Sequence, residues 1–335
     1  MFDIITLGSA TWDQFLTDLD YMVVKNKNFI TGKGLCFPKG SKLKVGKAMF
    51  SSGGGATNTA ASFSRWGLKT AIVCRLGKDV LGRLVLEDLL EKNIDIQFLQ
   101  FDYVTPTACS VIILDKEGDR TIFSYKGSNE RLSAWEIPWA SLSTNWLFLD
   151  SLGKDDSLLK TAVKFAQKNH LHLAINPGVY ELALLKKHPQ WLKYFEVFIC
   201  NLEEAAYFTN LSYNQEKKII QVFASMKPNI LAITKGVKGS LVVYNNKVWE
   251  NGVFSGKKMK DQTGAGDAFA AGFVSALIGV NQINDSVIEE AIRRGSYNAY
   301  QVIQHIGAKA GIITQKELEK IPKNKLIIKK SLLKL

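Results

Sequence analysis

Short apolar runs alternate along this chain with segments of helical periodicity, and this alternation limits the possible folds more than any other feature. The apolar runs cover residues 4–7, 71–74, 146–149, 171–175, 197–200 and 230–233. The helical patterns cover residues 57–66, 80–92, 157–168, 203–208 and 215–224. Strands that are apolar on both faces are typical of a parallel sheet covered by helices. The pattern therefore predicts an α/β fold with a doubly wound, mainly parallel sheet flanked by helices.

Two regions interrupt this alternation. Residues 107–114 and 121–125, joined by the turn-like stretch 116–119, predict a β-hairpin. Residues 14–52 are rich in lysine and contain Gly32, Gly34, Pro38 and Gly40. We predict that elements from about 14–52 and 105–126 form a small β lid over the carboxyl ends of the strands, where open α/β sheets bind ligands. Residues 1–322 would form a single domain, followed by a basic C-terminal tail at 323–335.

The positive charge of the chain is concentrated in two segments. The 335 residues include 43 Lys and Arg against 31 Asp and Glu, a net charge of +12. The excess lies in residues 14–52 and in the tail, whereas nucleic-acid binding needs a continuous positive face. We therefore expect no nucleic-acid partner. The lysines of 14–52 would form lid surface, a homodimer contact, or a site for an acceptor that already carries phosphate.

No segment has the character of a membrane anchor or an export signal. The first residues enter an apolar run directly, without the basic region that begins a signal peptide. The apolar stretch at 268–280 is shorter than the roughly 20 residues that span a bilayer. The sequence thus predicts a cytoplasmic protein with no membrane partner.

The sharpest motif is Asp-Gln-Thr-Gly-Ala-Gly-Asp at residues 261–267, followed by small and apolar residues. Gly264, Ala265 and Gly266 would open a helix whose first N–H groups, together with the positive end of the helix dipole, bind an anion such as phosphate. Asp267 is the only ionisable residue from 264 to 280 and could take a proton from a substrate hydroxyl. A carboxylate that only caps the helix is the alternative, and the motif alone leaves both open.

A second glycine-rich motif, Gly-Gly-Gly-Ala-Thr-Asn at residues 53–58, also enters a helix. It fails as a dinucleotide fingerprint, because Asn58 stands where the third glycine should be. Glycines that let a small polyol approach the backbone, with Asn58 offering a donor and an acceptor to hydroxyl groups, explain it better. No G-x-x-x-x-G-K-[ST] sequence occurs, which disfavours a P-loop enzyme.

Together these motifs resemble those of the ribokinase-like (PfkB) family of carbohydrate kinases. Residues 53–58 match the family element G-G-x-x-x-N, and residues 261–267 match D-T-x-G-A-G-D, with Gln262 at its second position. Three further elements follow the family's order, namely L-G-x-D-x-x-G at 76–82, N-x-x-E at 201–204 and T-x-G-x-x-G at 234–239. The resemblance covers nearly the whole chain.

The resemblance implies an ATP-dependent kinase that transfers the γ-phosphoryl group to a hydroxyl of a sugar or sugar derivative. Asp267 would be the general base, and the amides of Gly264, Ala265 and Gly266 would bind the transferred group. The acceptor-binding residues implied are Asp13, Gly54 and Asn58. The ATP-binding residues implied are Asn201, Thr234, Gly236, Gly239 and Ser296.

The same resemblance implies two kinds of metal ion. Glu204 would hold Mg²⁺ through water molecules, as suits an ion that keeps part of its hydration shell. Asp261, Thr263 and Gly307 fall where some family members bind a monovalent cation, such as K⁺, through backbone oxygens.

The acceptor end departs from the ribokinase pattern, because Thr11 stands where ribokinases have Asn and Gly55 fills a variable position of the glycine motif. Two alternatives to a sugar kinase therefore stay open. An adenosine-like nucleoside kinase would need an aromatic wall, which Trp12, Phe37 or Tyr103 could supply. A non-catalytic sugar-binding protein of this fold would be expected to lose the aspartate or the glycines of the 261–267 motif.

Overall fold

The structure, a computed structural model, describes residues 1–29, 32–115, 120–256 and 258–333. The strands within these ranges are β1 (Phe2–Gly8), β2 (Thr11–Leu19), β3 (Met22–Lys25), β4 (Lys33–Cys36), β5 (Val45–Gly53), β6 (Thr70–Val73), β7 (Arg75–Gly77), β8 (Gln100–Asp102), β9 (Cys109–Leu114), β10 (Arg120–Tyr125), β11 (Thr144–Asp150), β12 (His172–Asn176), β13 (Val197–Asn201), β14 (Ile230–Thr234), β15 (Ser240–Tyr244), β16 (Lys247–Asn251) and β17 (Ile328–Leu332). The α-helices there are α1 (Gly55–Arg65), α2 (Val80–Glu91), α3 (Asp156–Lys168), α4 (Val179–Lys187), α5 (Leu202–Thr209), α6 (Glu216–Ser225), α7 (Ala265–Ser275), α8 (Asp285–Val302) and α9 (Gln315–Leu318).

The main sheet of the described residues has nine strands, in the spatial order β17-β16-β15-β14-β13-β12-β11-β1-β6. The six strands from β6 to β14 in this order pair in parallel, and each contains most or all of one of the apolar runs seen in the sequence. The last three strands extend the sheet in antiparallel fashion. The predicted α/β fold with a mainly parallel sheet is confirmed.

Neighbouring residues of each strand point to opposite faces of the sheet, and both faces of its parallel part are buried. In β1, for example, Ile4 belongs to one hydrophobic cluster and Ile5 to the other. The first cluster takes in α1, α2, α7 and α8, and the second takes in α3, α4, α5 and α6. Helices therefore flank the sheet on both sides, which explains why the central residues of its parallel strands are mostly apolar.

A separate four-stranded sheet, in the order β10-β9-β2-β5, forms the small β lid. The predicted hairpin is present as β9 and β10, which pair in antiparallel register, while its turn at 116–119 lies outside the described residues. Phe15, Ile112 and Leu114 form the core of this sheet. Strand β2 follows closely on the carboxyl end of β1, and β5 leads directly into α1. The lid is thus inserted where the main sheet presents the ends of its strands.

The basic C-terminal segment contributes β17, which pairs with β16 at the edge of the main sheet. Asp285, at the start of α8, accepts hydrogen bonds from Lys247 of β16 at 2.8 Å and from Lys330 of β17 at 3.1 Å. The lysines of this segment are therefore used in part to hold the edge strand. None of the helices in the described parts of the chain is both long enough and apolar enough to cross a membrane.

Candidate active site

Two glycine-preceded helices, α1 and α7, pack against each other and bring the two sharpest sequence motifs together. Asn58 lies in the first turn of α1, and Asp267 lies in the first turn of α7. The Asn58 side chain donates a hydrogen bond from Nδ2 to Oδ2 of Asp267 across 2.7 Å. The predicted acceptor-binding asparagine and the predicted base are thus direct neighbours.

Side chains from other elements hold both carboxylate oxygens of Asp267. Besides the bond from Asn58, Oδ1 accepts a hydrogen bond of 3.3 Å from Nδ2 of Asn176, at the end of β12. Burial raises the pKa of Asp267, while the hydrogen bond from Asn58 and the charge of Lys309 act in the opposite direction. A carboxylate that caps its own helix accepts hydrogen bonds from the N–H groups of that helix. The side-chain partners of Asp267 belong instead to α1 and β12.

Residues 264–266, at the start of α7, form a turn that we call the glycine cradle. Only glycine fits at its first position. Gly264 has a φ of 76°, and a Cβ there would lie 2.4 Å from the Cβ of Ala308. The N–H of Ala265 donates to the carbonyl of Gln262 at 3.2 Å and so already has a partner. Gly266 faces open space, since nothing lies within 4 Å of the position that its Cβ would take. Its amide belongs to the first helical turn, where intrahelical acceptors are lacking.

The predicted acceptor-binding residues lie beside Asp267, where the lid meets the main sheet. Gly54 is the N-cap of α1. Asp13, in the lid strand β2, is buried and accepts a 3.1 Å hydrogen bond from the hydroxyl of Thr11. Burial raises the pKa of Asp13, partly offset by hydrogen bonds and by the charge of Lys309. Asn58 is 6% exposed, and its Oδ1 has no hydrogen-bond partner in the described part of the chain.

A buried lysine that the sequence motifs do not mark lies close to these carboxylates. The Lys309 side chain is 6% exposed and donates to the hydroxyl of Ser52 and, at 3.3 Å, to the carboxylate of Asp88. Burial lowers the pKa of Lys309 to about 8, although the carboxylates of Asp88 and Asp13 oppose that effect. Lys309 therefore supplies a buried positive charge between the lid, α2 and the acceptor residues.

A cleft of about 380 Å³ opens next to the glycine cradle. It is lined by all five predicted ATP-binding residues, Asn201, Thr234, Gly236, Gly239 and Ser296, and by Ala265 and Gly266 of the cradle. Apolar side chains, among them Phe254, Met259 and Ile303, form much of the remaining wall. A volume of this size with apolar walls and a few polar groups is typical of a small-molecule site.

The predicted magnesium residue lies at the start of α5, beside this cleft. Asn201 and Glu204 form a reciprocal cap, in which each side chain accepts a 2.8 Å hydrogen bond from the backbone N–H of the other. Burial raises the pKa of Glu204, and the nearby charge of Asp267 adds to the effect. No cluster of three or more His, Cys, Asp or Glu side chains converges as a metal cage in residues 1–29, 32–115, 120–256 and 258–333. Mg²⁺ bound through water and substrate phosphates does not need one.

The three residues suggested for a monovalent cation are brought together by one buried side chain. Asp261 is fully buried, and its Oδ1 accepts hydrogen bonds from the backbone N–H and the hydroxyl of Thr263, at 2.9 and 2.7 Å. Its Oδ2 accepts from the N–H of Gly307 at 2.9 Å. These bonds connect the segment before α7 to the segment after α8.

Besides Lys309, three residues near the site lie outside the sequence motifs. Asp150 and Asn176 are polar residues at the ends of the apolar strands β11 and β12, a position that could have marked them. Arg120, in the lid strand β10, lines the same cleft as the five predicted ATP-binding residues and donates to Oε1 of Gln262 at 3.4 Å. No local pattern around Arg120 predicts this contact, because it depends on how the hairpin docks.

Known proteins resemble this chain in both sequence and structure. The chain is 27% identical over 315 residues to a ribokinase of Dictyostelium discoideum, covering 88% of this chain and 93% of the relative. Among solved structures, a ribokinase from Thermotoga maritima superimposes with a TM-score of 0.75 at 22% identity, covering 96% of this chain and 99% of the other. A nucleoside kinase from Methanocaldococcus jannaschii, described as an archaeal member of the ribokinase family, gives 0.74 at 23% identity, covering 96% and 97%.

The two solved structures show that this chain shares their fold. A comparison with family sequence profiles identifies the family. The sequence profile of the pfkB family carbohydrate kinases matches residues 11–315, which is most of the chain. All five motifs of the sequence and the cleft beside α7 lie within that range. The chain belongs to the pfkB family of carbohydrate kinases, phosphotransferases that use an alcohol group as acceptor.

Proposed function

We propose that this protein transfers the γ-phosphoryl group of ATP to a hydroxyl group of an uncharged sugar. The observation that carries the proposal is the position of Asp267, which touches the acceptor-side residue Asn58 and directly follows Gly266 at the rim of the nucleotide cleft. One carboxylate is thus available at the point where an acceptor hydroxyl would meet a phosphoryl group. Phosphoryl transfer depends mainly on positioning and electrostatic stabilisation.

The nucleotide would occupy the cleft lined by the five predicted ATP-binding residues. Its apolar wall, including Phe254 and Ile303, suits a purine base, and the glycines at 236 and 239 let phosphates and ribose approach the backbone. Glu204 would hold Mg²⁺ through water, and the ion would neutralise charge on the phosphates. Asn201 would contact the phosphates from the start of α5.

Three groups of this chain would act directly on the transfer. Asp267 would accept the proton of the acceptor hydroxyl as the oxygen attacks the γ-phosphorus and the bond from that phosphorus to the β,γ-bridging oxygen breaks, which releases ADP. The amides of Gly264 and Gly266 would stabilise the negative charge on the transferred group, aided by the positive end of the α7 dipole. Arg120 would bring a positive charge from the lid to the phosphates, since its guanidinium already lines the cleft.

The charges around the acceptor site support an uncharged acceptor. Asp13, Asp150 and Asp267 place three carboxyl groups there, and Lys309 is the buried cation that faces Asp13 and Asp267. A phosphate on the acceptor would be repelled by these carboxylates. The unpartnered Oδ1 of Asn58 would instead accept a hydrogen bond from a sugar hydroxyl, which satisfies a buried polar atom.

The lysine-rich lid segment offers the alternative of an acceptor that already carries a phosphate group. Lys39 and Lys42 are exposed, so they would reach an acceptor phosphate only if the segment moved. A phosphosugar that is the preferred acceptor of the wild type, with an affinity that falls when Lys39 or Lys42 is changed to Ala, would contradict the uncharged-acceptor proposal.

A nucleoside acceptor is the second candidate, supported by Trp12, which directly precedes Asp13 in β2. The ring is partly buried against the main core, so it could form one wall of a base site. Tyr103 is a weaker choice, since it is 76% exposed and the Lys78 ammonium lies 4.6 Å from its ring centre.

The deciding experiment measures ADP formation with pentoses, hexoses, their phosphates and nucleosides as acceptors. We expect turnover with a free sugar and little with the corresponding phosphosugar. The same assay in K⁺, Na⁺ and Li⁺ buffers tests whether residues 261, 263 and 307 bind a monovalent cation, which would make the rate depend on the ion. Exclusive use of nucleosides would favour the second candidate, and no ADP formation above the ATP-only rate with any acceptor would contradict the kinase proposal.

A further inference from the structure

A single amide nitrogen connects two buried carboxyl groups in the acceptor site. Nδ2 of Asn176 donates to Oδ2 of Asp150 at 2.9 Å and to Oδ1 of Asp267 at 3.3 Å. Asp150 ends β11 and Asn176 ends the adjacent strand β12, and the two residues are paired in parallel register. The connection is therefore built on two central strands of the main sheet, which are rigid supports.

The direction of these hydrogen bonds fixes the orientation of the Asn176 amide. An amide nitrogen carries two N–H donors, one for each carboxyl group, whereas its oxygen would repel two carboxylate oxygens. Asp150 takes one N–H group and so prevents the amide from turning its oxygen toward Asp267. The other N–H group is then left for Oδ1 of Asp267.

The space that Asp150 occupies exists because residue 55 is glycine. A Cβ on Gly55 would lie 1.7 Å from Oδ1, 2.1 Å from Cγ and 2.5 Å from Oδ2 of Asp150. These three atoms are the nearest neighbours of that position, and all belong to the Asp150 carboxyl group. Gly55 and Asp150 are thus a matched pair in which the absence of one side chain accommodates the other.

We propose that Asp150 and Asn176 are positioning residues that hold the Asp267 carboxylate for proton transfer, and that Gly55 is required by the Asp150 side chain. The proposal rests on the proposed function, in which Asp267 is the base. Asp150 is 3% exposed and acts through Asn176. Two amides, from Asn58 and Asn176, would then fix the two oxygens of Asp267 separately, which orients the lone pair that receives the proton.

The surroundings of Asp150 and Asp267 shift the pKa of both carboxyl groups. Burial, and next the charge of Asp267, raise the pKa of Asp150 well above its ordinary value, and Glu181 contributes in the same direction. Burial raises the pKa of Asp267, the hydrogen bond from Asn58 and the charge of Lys309 lower it, and the charge of Asp13 raises it. Asparagine keeps the size of the side chain at position 150 and still offers an oxygen to the Asn176 amide, so it is the conservative replacement there.

The test compares steady-state kinetics of Asp150→Ala, Asn176→Ala and Asp150→Asn in the intact chain, with the best sugar acceptor. We expect Asp150→Ala and Asn176→Ala each to lower kcat by about 10- to 10²-fold, because small misplacements of a reacting group cost rates of this order. The KM for the acceptor should change less than about threefold. Asp150→Asn retains an acceptor for the Asn176 amide and should restore most of the rate.

Two further comparisons separate positioning from general damage. Gly55→Ala should lower kcat in the wild-type background but have little further effect in Asp150→Ala, where the clashing carboxyl atoms are gone. Asp102→Asn alters another buried acid, at the end of β8, whose Oδ2 accepts from Nε of Arg75 at 3.1 Å. This control should lower the melting temperature without lowering kcat.

The outcomes distinguish this proposal from the proposed function. A wild type that forms no ADP with any acceptor overturns both. A wild type that turns over, combined with Asp150→Ala and Asn176→Ala variants of near wild-type kcat, overturns the positioning roles alone. If Asp150→Ala does not fold, Asn176→Ala decides, because Asn176 is only partly buried. Equal losses from Gly55→Ala in both backgrounds would contradict the pairing of Gly55 with Asp150.

Discussion

Asn58 and Asp267 lie 209 positions apart in the chain, yet the Nδ2 of one donates to the Oδ2 of the other across 2.7 Å. The contact joins the first turn of α1 to the first turn of α7, so each helix presents its N-terminal end to the same place. The positive ends of two helix dipoles therefore converge where a phosphoryl group would be transferred. In the proposed function, acceptor binding and proton removal would meet at this one hydrogen bond.

The two glycines of the cradle should respond differently to substitution. Gly264→Ala places a methyl group 2.4 Å from the Cβ of Ala308 at a φ of 76°, so we expect a loss of about 1–3 kcal/mol in unfolding free energy and a large loss of turnover. Gly266→Ala meets no atom within 4 Å and raises helix propensity, which predicts unchanged or slightly higher stability. Its methyl group would still enter the nucleotide cleft and weaken ATP use.

Urea denaturation and ATP titration of both glycine variants check this prediction. The matched pair differs only in which glycine receives the methyl group. Equal losses of stability would show that the strain at Gly264 is not specific, and normal kinetics in Gly266→Ala would show that phosphate does not bind at the cradle.

Arg120 should contribute to ATP use through its charge. Arg120→Ala removes a guanidinium that lines the cleft and contacts Gln262, and hydrogen bonds to charged groups contribute about 1.5–3 kcal/mol. We therefore expect kcat/KM for ATP to fall about 10- to 10²-fold, with partial recovery in Arg120→Lys.

Arg83→Ala is the matched control for Arg120. Arg83 is exposed on α2 and pairs with Glu87 at 3.7 Å, away from the cleft-lining residues. Initial rates at varied ATP concentration should show no change in this variant. If the rate of the Arg120→Ala enzyme depended on ATP concentration as in the wild type, the proposed contact between Arg120 and the phosphates would be contradicted.

Buried Lys309 should make stability depend on alkaline pH. Its pKa falls from an ordinary value of 10.5 to about 8 in the folded protein. Between these values the unfolded chain binds the additional proton, so the contribution of Lys309 to the unfolding free energy rises as the pH rises. Relative to Lys309→Met, the wild type should gain up to about 1.4 kcal/mol per pH unit within that window.

Urea denaturation of the wild type and of Lys309→Met at pH 7, 8 and 9.5 measures this difference. Lys330→Met is a suitable control, because Lys330 is about half exposed and its pair with Asp285 is partly solvated. If the difference in unfolding free energy between wild type and Lys309→Met stayed constant or shrank with rising pH, the lowered pKa of Lys309 would be contradicted.

The fold could be predicted from local patterns, since a strand buried on both faces needs apolar residues at successive positions, as β13 has from Val197 to Cys200. Helix boundaries were less certain. Helix α1 begins at Gly55, two residues before the predicted start, because glycine has a low helix propensity and does not mark a helix interior. Tertiary packing against α7 overrides that propensity.

The site was predictable only where neighbouring residues form a motif. Asp267 and Asn58 lie within such motifs, but Lys309 becomes significant only through Ser52 and Asp88, which are distant in the chain. Asn176 likewise acts through two carboxyl groups on other elements. Long-range contacts of this kind follow from the docking of the lid and the order of the strands, which local sequence does not encode.

The most direct test of Asp267 as the base is the turnover of Asp267→Asn with its best acceptor, together with binding of ATP and of that acceptor measured by calorimetry. Asparagine keeps the shape of the side chain and can still accept one of the two hydrogen bonds, from Asn58 or from Asn176, but it cannot take a proton. We expect binding of both ligands within a few-fold of wild type and a fall in kcat of at least about 10²-fold. Turnover near the wild-type rate in a variant that binds both ligands would contradict the assignment.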